Sequence, residues 1–376
     1  MKIAINARFL LPDHLEGLGW YTHEIARRLV ERHPEDEFLF LFDRPYAPHF
    51  VYAANVTPLV LFPPARHPLL WWWWFERAVP TALQRWGADV FFSPDSYLSL
   101  RAKTPTVLTV HDLVPLHRPA GIPWLTRHYY RHYLPQFLRR ADHILTVSEY
   151  VRQDIAQTGG VDLSRISVAY NGCRTGFVPL QETDKQLVRD KYAAGQAYFF
   201  YTGAIHPRKN IPRLIRAFDL FKTRTGAAAR LLLAGRMAWQ TGEVTQAYAQ
   251  AQHRADVCFL GYVPETELPR LTAAALALAY VSLSEGFGLP MLEAMHTETP
   301  VLAARATCLP EIAGAAALLV DPLSEAAIAE GLERLWTDRA LGQQLIGHGR
   351  RQREKFSWDT AAERVYTVLK NTGTHE

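Results

Sequence analysis

The most restrictive feature of this chain is a pair of series in which short, wholly apolar runs alternate with helix-type patterns. In the first series the runs are "KIAINARFL", "EFLFLF", "ADVFFSP", "TPTVLTVHD" and "HILTVSE". Between them lie "WYTHEIARRLVERH", whose Ile25, Leu29 and Val30 share one helical stripe, then "LLWWWWFERAVPTALQRW" and "PWLTRHYYRHYLPQFLRR". Strands that are apolar on both faces and separated by helices specify a parallel sheet covered on both sides. The pattern breaks at "NGCRTGFVPLQETDKQ", whose turn residues and polar content suit a domain connection. It resumes with "QAYFFYTGA", "ARLLLAG", "DVCFLG", "LALAYVSL", "PVLAA" and "ALLV", again with helical patterns between them. At 376 residues the chain exceeds what one core usually supports. We therefore expect an α/β protein of two doubly wound, Rossmann-like domains, 1–176 and 177–356, facing each other across a cleft. Open α/β sheets bind ligands at the carboxyl ends of their strands, so the chemistry is expected there.

Composition narrows the functional classes. A formal charge of +4 is a mild bias, well short of the concentrated basic face of a nucleic-acid binder. It suits an anionic small molecule or an acidic membrane surface better, and no nucleic-acid partner is expected. Cys173, Cys258 and Cys308 are odd in number and lack metal-ligand spacing, so they read as reduced thiols of a cytoplasmic protein. The opening "MKIAINARFL" reads as a first strand rather than a signal peptide. The longest apolar run, "LTAAALALAYVSL", is shorter than the roughly 18 residues a spanning helix needs.

Two segments carry candidate chemistry. "TGAIHPRKNIPRLIRAF" follows a strand and opens a helix, with Asn210 at the expected N-cap and Pro212 just inside. Arg208 and Lys209 then stand beside the positive end of a helix, an arrangement that an anion such as a diphosphate would relieve. Two solvated loop cations are the competing reading. "SLSEGFGLPMLEAM" places Gly286 and Gly288 where backbone amides can approach a ligand, with Glu285 in the loop and Glu293 one turn into the next helix. Two carboxylates there can accept hydrogen bonds from vicinal hydroxyls of a sugar or ribose. A solvated turn residue and a helix-dipole residue are the plain alternatives.

"SLSEGFGLPMLEAM", with "TPVLAA" and "LPEIAG" after it, resembles the signature of the retaining GT-B glycosyltransferases. That large family includes glycogen-synthase relatives and many bacterial mannosyl- and glucosyltransferases. The resemblance extends through "EGLGWYT", "TVHDLVPLHRP", "VAYNG", "YTGAIHPRKN", "LLLAG", "FLGYVPETELPRL" and "FSWDTAAERV", in order. It implies that Glu285 binds hydroxyls of the transferred sugar and Glu293 the nucleotide ribose. Amides of Phe287, Gly288 and Leu289 would face the sugar and phosphate. Arg208 and Lys209 would hold the diphosphate and stabilise the departing nucleotide. Gly17 and Gly19 would let an amino-terminal loop approach the diphosphate, and His111 would face the reacting sugar. By itself His111 could equally close a strand-to-loop turn with Asp112 as a cap. The helix after "FSWDT", about 357–376, would return to the first domain.

The resemblance further implies hexose transfer from a nucleotide diphosphate sugar to a glycan or lipid-linked acceptor, with retained configuration. No cofactor is expected, and no metal, because the phosphate charge would be met by Arg208, Lys209 and helix ends. A nucleotide-sugar epimerase and a non-catalytic nucleotide-sugar binder are the alternatives. The chain departs from the common family pattern at Glu298, where a small residue or glycine usually precedes "TPV", and lacks the usual aspartate and proline around Ala275 and Val281. Trp71 to Trp74 span more than one turn at about 3.6 residues per turn, so at least one should be exposed. Indoles favour membrane interfaces, and burial or a dimer surface would use them equally. Arg127, Arg131, Arg139 and Arg140 lie in one helical segment with His128 and His132, a basic face more than a metal site. These features point to peripheral contact with an anionic membrane.

Overall fold

The computed structural model describes all residues except 13–14, 120–121, 238–241 and 375–376. It forms two compact units, one of Met1–Gly172 with Ser357–Glu376 and one of Cys173–Phe356. The division falls after Gly172 rather than at 176/177. Gly172 is tied to the first unit because a Cβ there would lie 2.4 Å from the backbone nitrogen of Trp358.

The first unit holds seven parallel strands: β1 (Lys2–Asn6), β2 (Glu37–Phe42), β3 (Val56–Val60), β4 (Val90–Ser93), β5 (Thr106–Val110), β6 (His143–Thr146) and β7 (Ile166–Val168). Their order is β3-β2-β1-β4-β5-β6-β7. β4 and β5 are buried along their whole length, as expected of strands covered on both faces. The edge strand β3 was not foreseen, because its "VTPLV" carries Pro58. Proline is tolerated at an edge, where its missing N–H leaves no interior ladder bond unmade. Also missed was the helix Glu149–Gly159, which Ser148 caps by accepting from the amide of Val151 and which ends at Gly160 in the left-handed region.

The tryptophan run divides as its length requires. The helix Pro68–Trp73 passes into a wider π-turn, Trp74–Ala78, in which the Val79 amide reaches back to the Trp74 carbonyl. Trp74 is fully buried while Trp73 is 50% exposed. The last helix, Trp358–Gly373, packs on the helix Gly17–Arg32: Arg28 Nε donates to Asp359 at 2.6 Å, and the Tyr366 hydroxyl donates to Asp36 at 2.9 Å.

The second unit has six parallel strands: β8 (Ala197–Thr202), β9 (Ala229–Ala234), β10 (Val257–Gly261), β11 (Ala277–Tyr280), β12 (Val301–Ala304) and β13 (Ala317–Val320). Their order is β10-β9-β8-β11-β12-β13. Both sheets are thus of the doubly wound, Rossmann-like α/β class. The segment read as a connection contains the start of a helix, Glu182–Ala193. That helix buries only Val188 and Ala193, so its sequence carries almost no apolar stripe to reveal it.

Candidate active site

In the second sheet the strand order reverses direction between neighbours β8 and β11, and such a switch point opens a crevice at the strands' carboxyl ends. The candidate residues Arg208, Lys209 and Glu285 come from the two segments leaving these strands. After β8 the chain makes a short turn, Pro207–Lys209, in which the His206 side chain accepts from the Arg208 amide. After β11 it runs through Ser282 and Ser284 to Glu285. The Leu283 amide donates to the Arg208 carbonyl at 2.7 Å, so the two loops are stitched together by backbone.

Three charges meet there. Arg208 Nη1 donates to Glu285 Oε2 at 2.7 Å and to the Ser284 carbonyl at 2.9 Å. Lys209 Nζ donates to Glu285 Oε1 at 2.5 Å and to the Tyr280 hydroxyl at 2.9 Å, with its charge 5.0 Å above the Tyr280 ring. Glu285 is 6% exposed. Burial by itself would raise its carboxyl; the charges of Arg208 and Lys209 prevail and bring it down to about 2. The Glu285 backbone is pinned as well, since its amide donates to Thr307 Oγ1 and its carbonyl accepts from the Cys308 thiol.

Asn210 stands at the N-cap position of the helix Ile211–Thr225, as expected, but its side chain does not cap that helix. It adopts φ 63° and ψ 26° with no side-chain cap, and its amide nitrogen donates instead to the carbonyls of Val281 and Pro322, at 3.0 and 2.7 Å. The residue expected to serve one helix therefore ties together the segments that follow β8, β11 and β13.

Gly288 has φ +96°, and a Cβ there would lie 2.8 Å from Leu309 Cδ2, so the turn before the helix Leu289–His296 requires glycine. The first amides of that helix lack intrahelical acceptors, as at any helix start. Phe287, 4% exposed, sets its ring edge-on to Phe356, which leaves only its backbone for the role expected of it. Glu293 lies within the helix, 2% exposed, and pairs with Arg174: Nε and Nη2 both reach Oε1, at 2.8 and 2.7 Å. Burial raises its carboxyl against the opposing charge of Arg174. The two glutamates, eight positions apart, thus sit in environments that push their proton affinities in opposite directions. Arg174 was not identified beforehand, because "NGCRTGF" reads as a linker.

His111, Gly17 and Gly19 belong to the first unit. His111 follows β5; its Nε2 lies 2.8 Å from the Pro94 carbonyl and its ring stands edge-on to Tyr21 at 4.6 Å. Burial lowers its proton affinity, so the imidazole is neutral with the proton on Nε2, facing the carbonyl. Asp112 Oδ1 accepts from the Val114 amide two residues on, which closes the turn after the strand, while Leu113 occupies the N-cap position of the short helix that follows. Gly17 and Gly19 open a helix instead of lying in a loop. Gly19 is required there because a Cβ would meet the Phe9 carbonyl oxygen at 2.7 Å, whereas nothing lies within 4 Å of a Cβ at Gly17.

The first sheet has its own switch point, between β1 and β4. Arg8 follows one strand and Asp95 the other, and they pair at 2.5 Å with side chains 5% and 0% exposed. The Arg8 guanidinium lies 4.3 Å from the Tyr97 ring centre. Neither residue was identified from the sequence, although the end-of-strand rule applied to "INAR" and "SPDS" would have found both. The His128 and His132 pair holds no metal-type arrangement, since His128 Nδ1 bonds the Trp124 carbonyl.

Two doubly wound parallel sheets, one with cations and a carboxylate gathered at its switch point, define an α/β protein of GT-B architecture. The fold is similar to that of Anabaena Alr3699/HepE in complex with UDP-glucose: TM-score 0.77, 18% identity, covering 99% of this chain and 100% of the other. Residues 15–177 match Glycosyltransferase Family 4, and residues 184–352 match Glycosyl transferases group 1. The chain is 30% identical over 368 residues to the O-antigen chain mannosyltransferase B of Escherichia coli, covering 95% of this chain and 96% of the relative. It is 27% identical over 317 residues to the O-antigen chain mannosyltransferase RfbU of Salmonella typhimurium, covering 82% and 84%. The chain belongs to this family and is a glycosyltransferase.

Proposed function

We propose that the enzyme transfers a hexose of the mannose type from a nucleotide diphosphate sugar to a hydroxyl of a glycan or lipid-linked acceptor in polysaccharide synthesis, with retention. The observation that carries the reading is the Arg208, Lys209 and Glu285 cluster at the switch point of the second sheet. It has a net charge of +1 and holds a largely buried lysine, which suits an entering diphosphate of about two negative charges. When phosphate oxygens take over the two cations, the Glu285 oxygens become available to sugar hydroxyls. The cations then meet the charge that develops on the nucleotide as its bond to the sugar breaks. Amides of Phe287, Gly288 and Leu289 supply further donors at a helix start, and Glu293 accepts from the ribose. His111 is assigned to the reacting sugar, with Gly17 and Gly19 at the approach of the diphosphate. A neutral imidazole with Nε2 engaged by Pro94 supports an uncharged, oriented role for His111.

No metal is assigned, because Arg208 and Lys209 meet the phosphate charge directly; activity lost in chelator and restored by manganese would overturn this. The names of the relatives support mannose and a polysaccharide product. We also assign the protein to the cytoplasm, in keeping with three cysteines that form no disulfide, and to peripheral contact with anionic membrane. Leu69, Trp73 and Trp124 are exposed, and the helix Trp124–Arg140 carries four arginines and no acidic residue. No helix among the described residues is long and apolar enough to cross a membrane. Flotation with anionic liposomes should carry the protein upward at low salt; a protein that stays at the bottom removes the membrane contact.

The decisive experiment is a thermal-shift panel of GDP-, UDP- and ADP-sugars, followed by transfer assays with the preferred donor and product anomers assigned by NMR. One sugar nucleotide should raise the unfolding temperature. Donor converted without acceptor would indicate an epimerase, and donor bound but neither hydrolysed nor transferred a silent binder.

A further inference from the structure

The Arg174–Glu293 pair departs from the usual fork. Arginine commonly meets a carboxylate with one nitrogen on each oxygen, but here Nε and Nη2 converge on Oε1. Among the described residues Oε2 accepts no hydrogen bond, although the residue is 2% exposed. Oε2 is not one of the side-chain atoms sealed from solvent without a partner, so this oxygen keeps the access that a donating hydroxyl needs. The guanidinium is itself held, lying 5.2 Å from the Phe177 ring centre with only 15% of its side chain exposed.

We propose that Arg174 is a positioning residue that fixes Glu293 through Oε1 and reserves Oε2 for a ribose hydroxyl, so that this pair sets the preference for ribonucleotides. The inference rests on the proposed ribose role of Glu293. Arg174 has two jobs in it. Its charge opposes the burial that would otherwise protonate the carboxyl, and a protonated Glu293 would be a poorer acceptor for a hydroxyl. Its planar fork also sets the plane of the carboxylate, which a freely rotating ammonium would do less well.

The test is calorimetric binding of GDP and UDP against their 2′,3′-dideoxy forms, for the wild type, Arg174→Leu, Arg174→Lys and Glu293→Gln. The wild type should prefer the ribose form by about tenfold or more, as a charged hydrogen bond implies. Glu293→Gln and Arg174→Leu should bring that ratio close to one while leaving dideoxy binding nearly unchanged, and Arg174→Lys should restore part of it. A merely structural arginine would weaken both forms alike. Equal wild-type affinity for both forms overturns the ribose role of Glu293. A normal wild-type ratio that survives in Arg174→Leu overturns the role of Arg174 alone. Should the leucine variant fail to fold, the lysine variant decides: an unaltered ratio and affinity there overturns the requirement for the planar fork.

Discussion

Replacing Glu285 with glutamine keeps the shape of the side chain and removes the charge that faces Arg208 and Lys209. In the native protein both carboxylate oxygens are engaged, at 2.5 and 2.7 Å, and the pKa lies at about 2 against an ordinary 4.5. A depression of that size corresponds to about 3 kcal/mol of stability at neutral pH. Because the folded-state value is the lower one, this contribution is fully present above about pH 4.5 and disappears as pH falls toward 2. The difference in unfolding free energy between wild type and Glu285→Gln should therefore be about 3 kcal/mol at pH 7. It should shrink by up to about 1.4 kcal/mol per pH unit below 4.5. Other carboxylates titrate in both proteins and cancel in the difference. Hydrogen exchange of peptides from β8 and β11 reads this unit directly, since most tryptophans lie in the other. A difference that stays constant from pH 7 to pH 3 would refute the account of a carboxylate held ionised by two cations.

Arg208→Ala or Lys209→Ala should weaken binding of the preferred nucleotide by about 1.5 to 3 kcal/mol, the loss of a charged hydrogen bond, and unchanged calorimetric affinity would remove that residue from the site. Gly19→Ala should cost about 1 to 3 kcal/mol because its methyl meets the Phe9 carbonyl. By contrast Gly17→Ala should be neutral or stabilising by up to about 1 kcal/mol in a helix, and thermal unfolding of the pair would show whether the order is reversed. Glu298 has φ 58° and an exposed pair with Arg350. Glu298→Gly should leave the unfolding midpoint unchanged or higher, since about 1 kcal/mol of left-handed strain is relieved and an exposed pair contributes little. A clear drop in the midpoint would count against strain at that position.

How far the sequence could be read depended on how local each feature was. The apolar runs of β1, β2, β4, β5, β8, β9, β11 and β12 declared themselves, because burial on both faces leaves no polar alternation to confuse them, and the half-exposed β10 and β13 still showed as short apolar runs. The unusual Glu298 also had a local meaning: the position where glycine is common is one with positive φ. The features that stayed hidden were weakly patterned, such as the proline-bearing edge strand β3 and the polar helix Glu182–Ala193.

From residue order alone it followed that this is a two-part parallel α/β chain with Arg208, Lys209 and Glu285 in the loops that follow strands and Glu293 in the helix beyond. Only the tertiary structure decided their partners. Glu285 meets Lys209 at a separation of 76 positions in the chain, Glu293 meets Arg174 at 119, and Arg8 meets Asp95 at 87. Local periodicity reports which face of an element is buried. It carries no information about which distant charge will share that burial, and those charges decide the outcome: two cations bring the Glu285 carboxyl down to about 2, whereas burial still raises that of Glu293 against Arg174 alone.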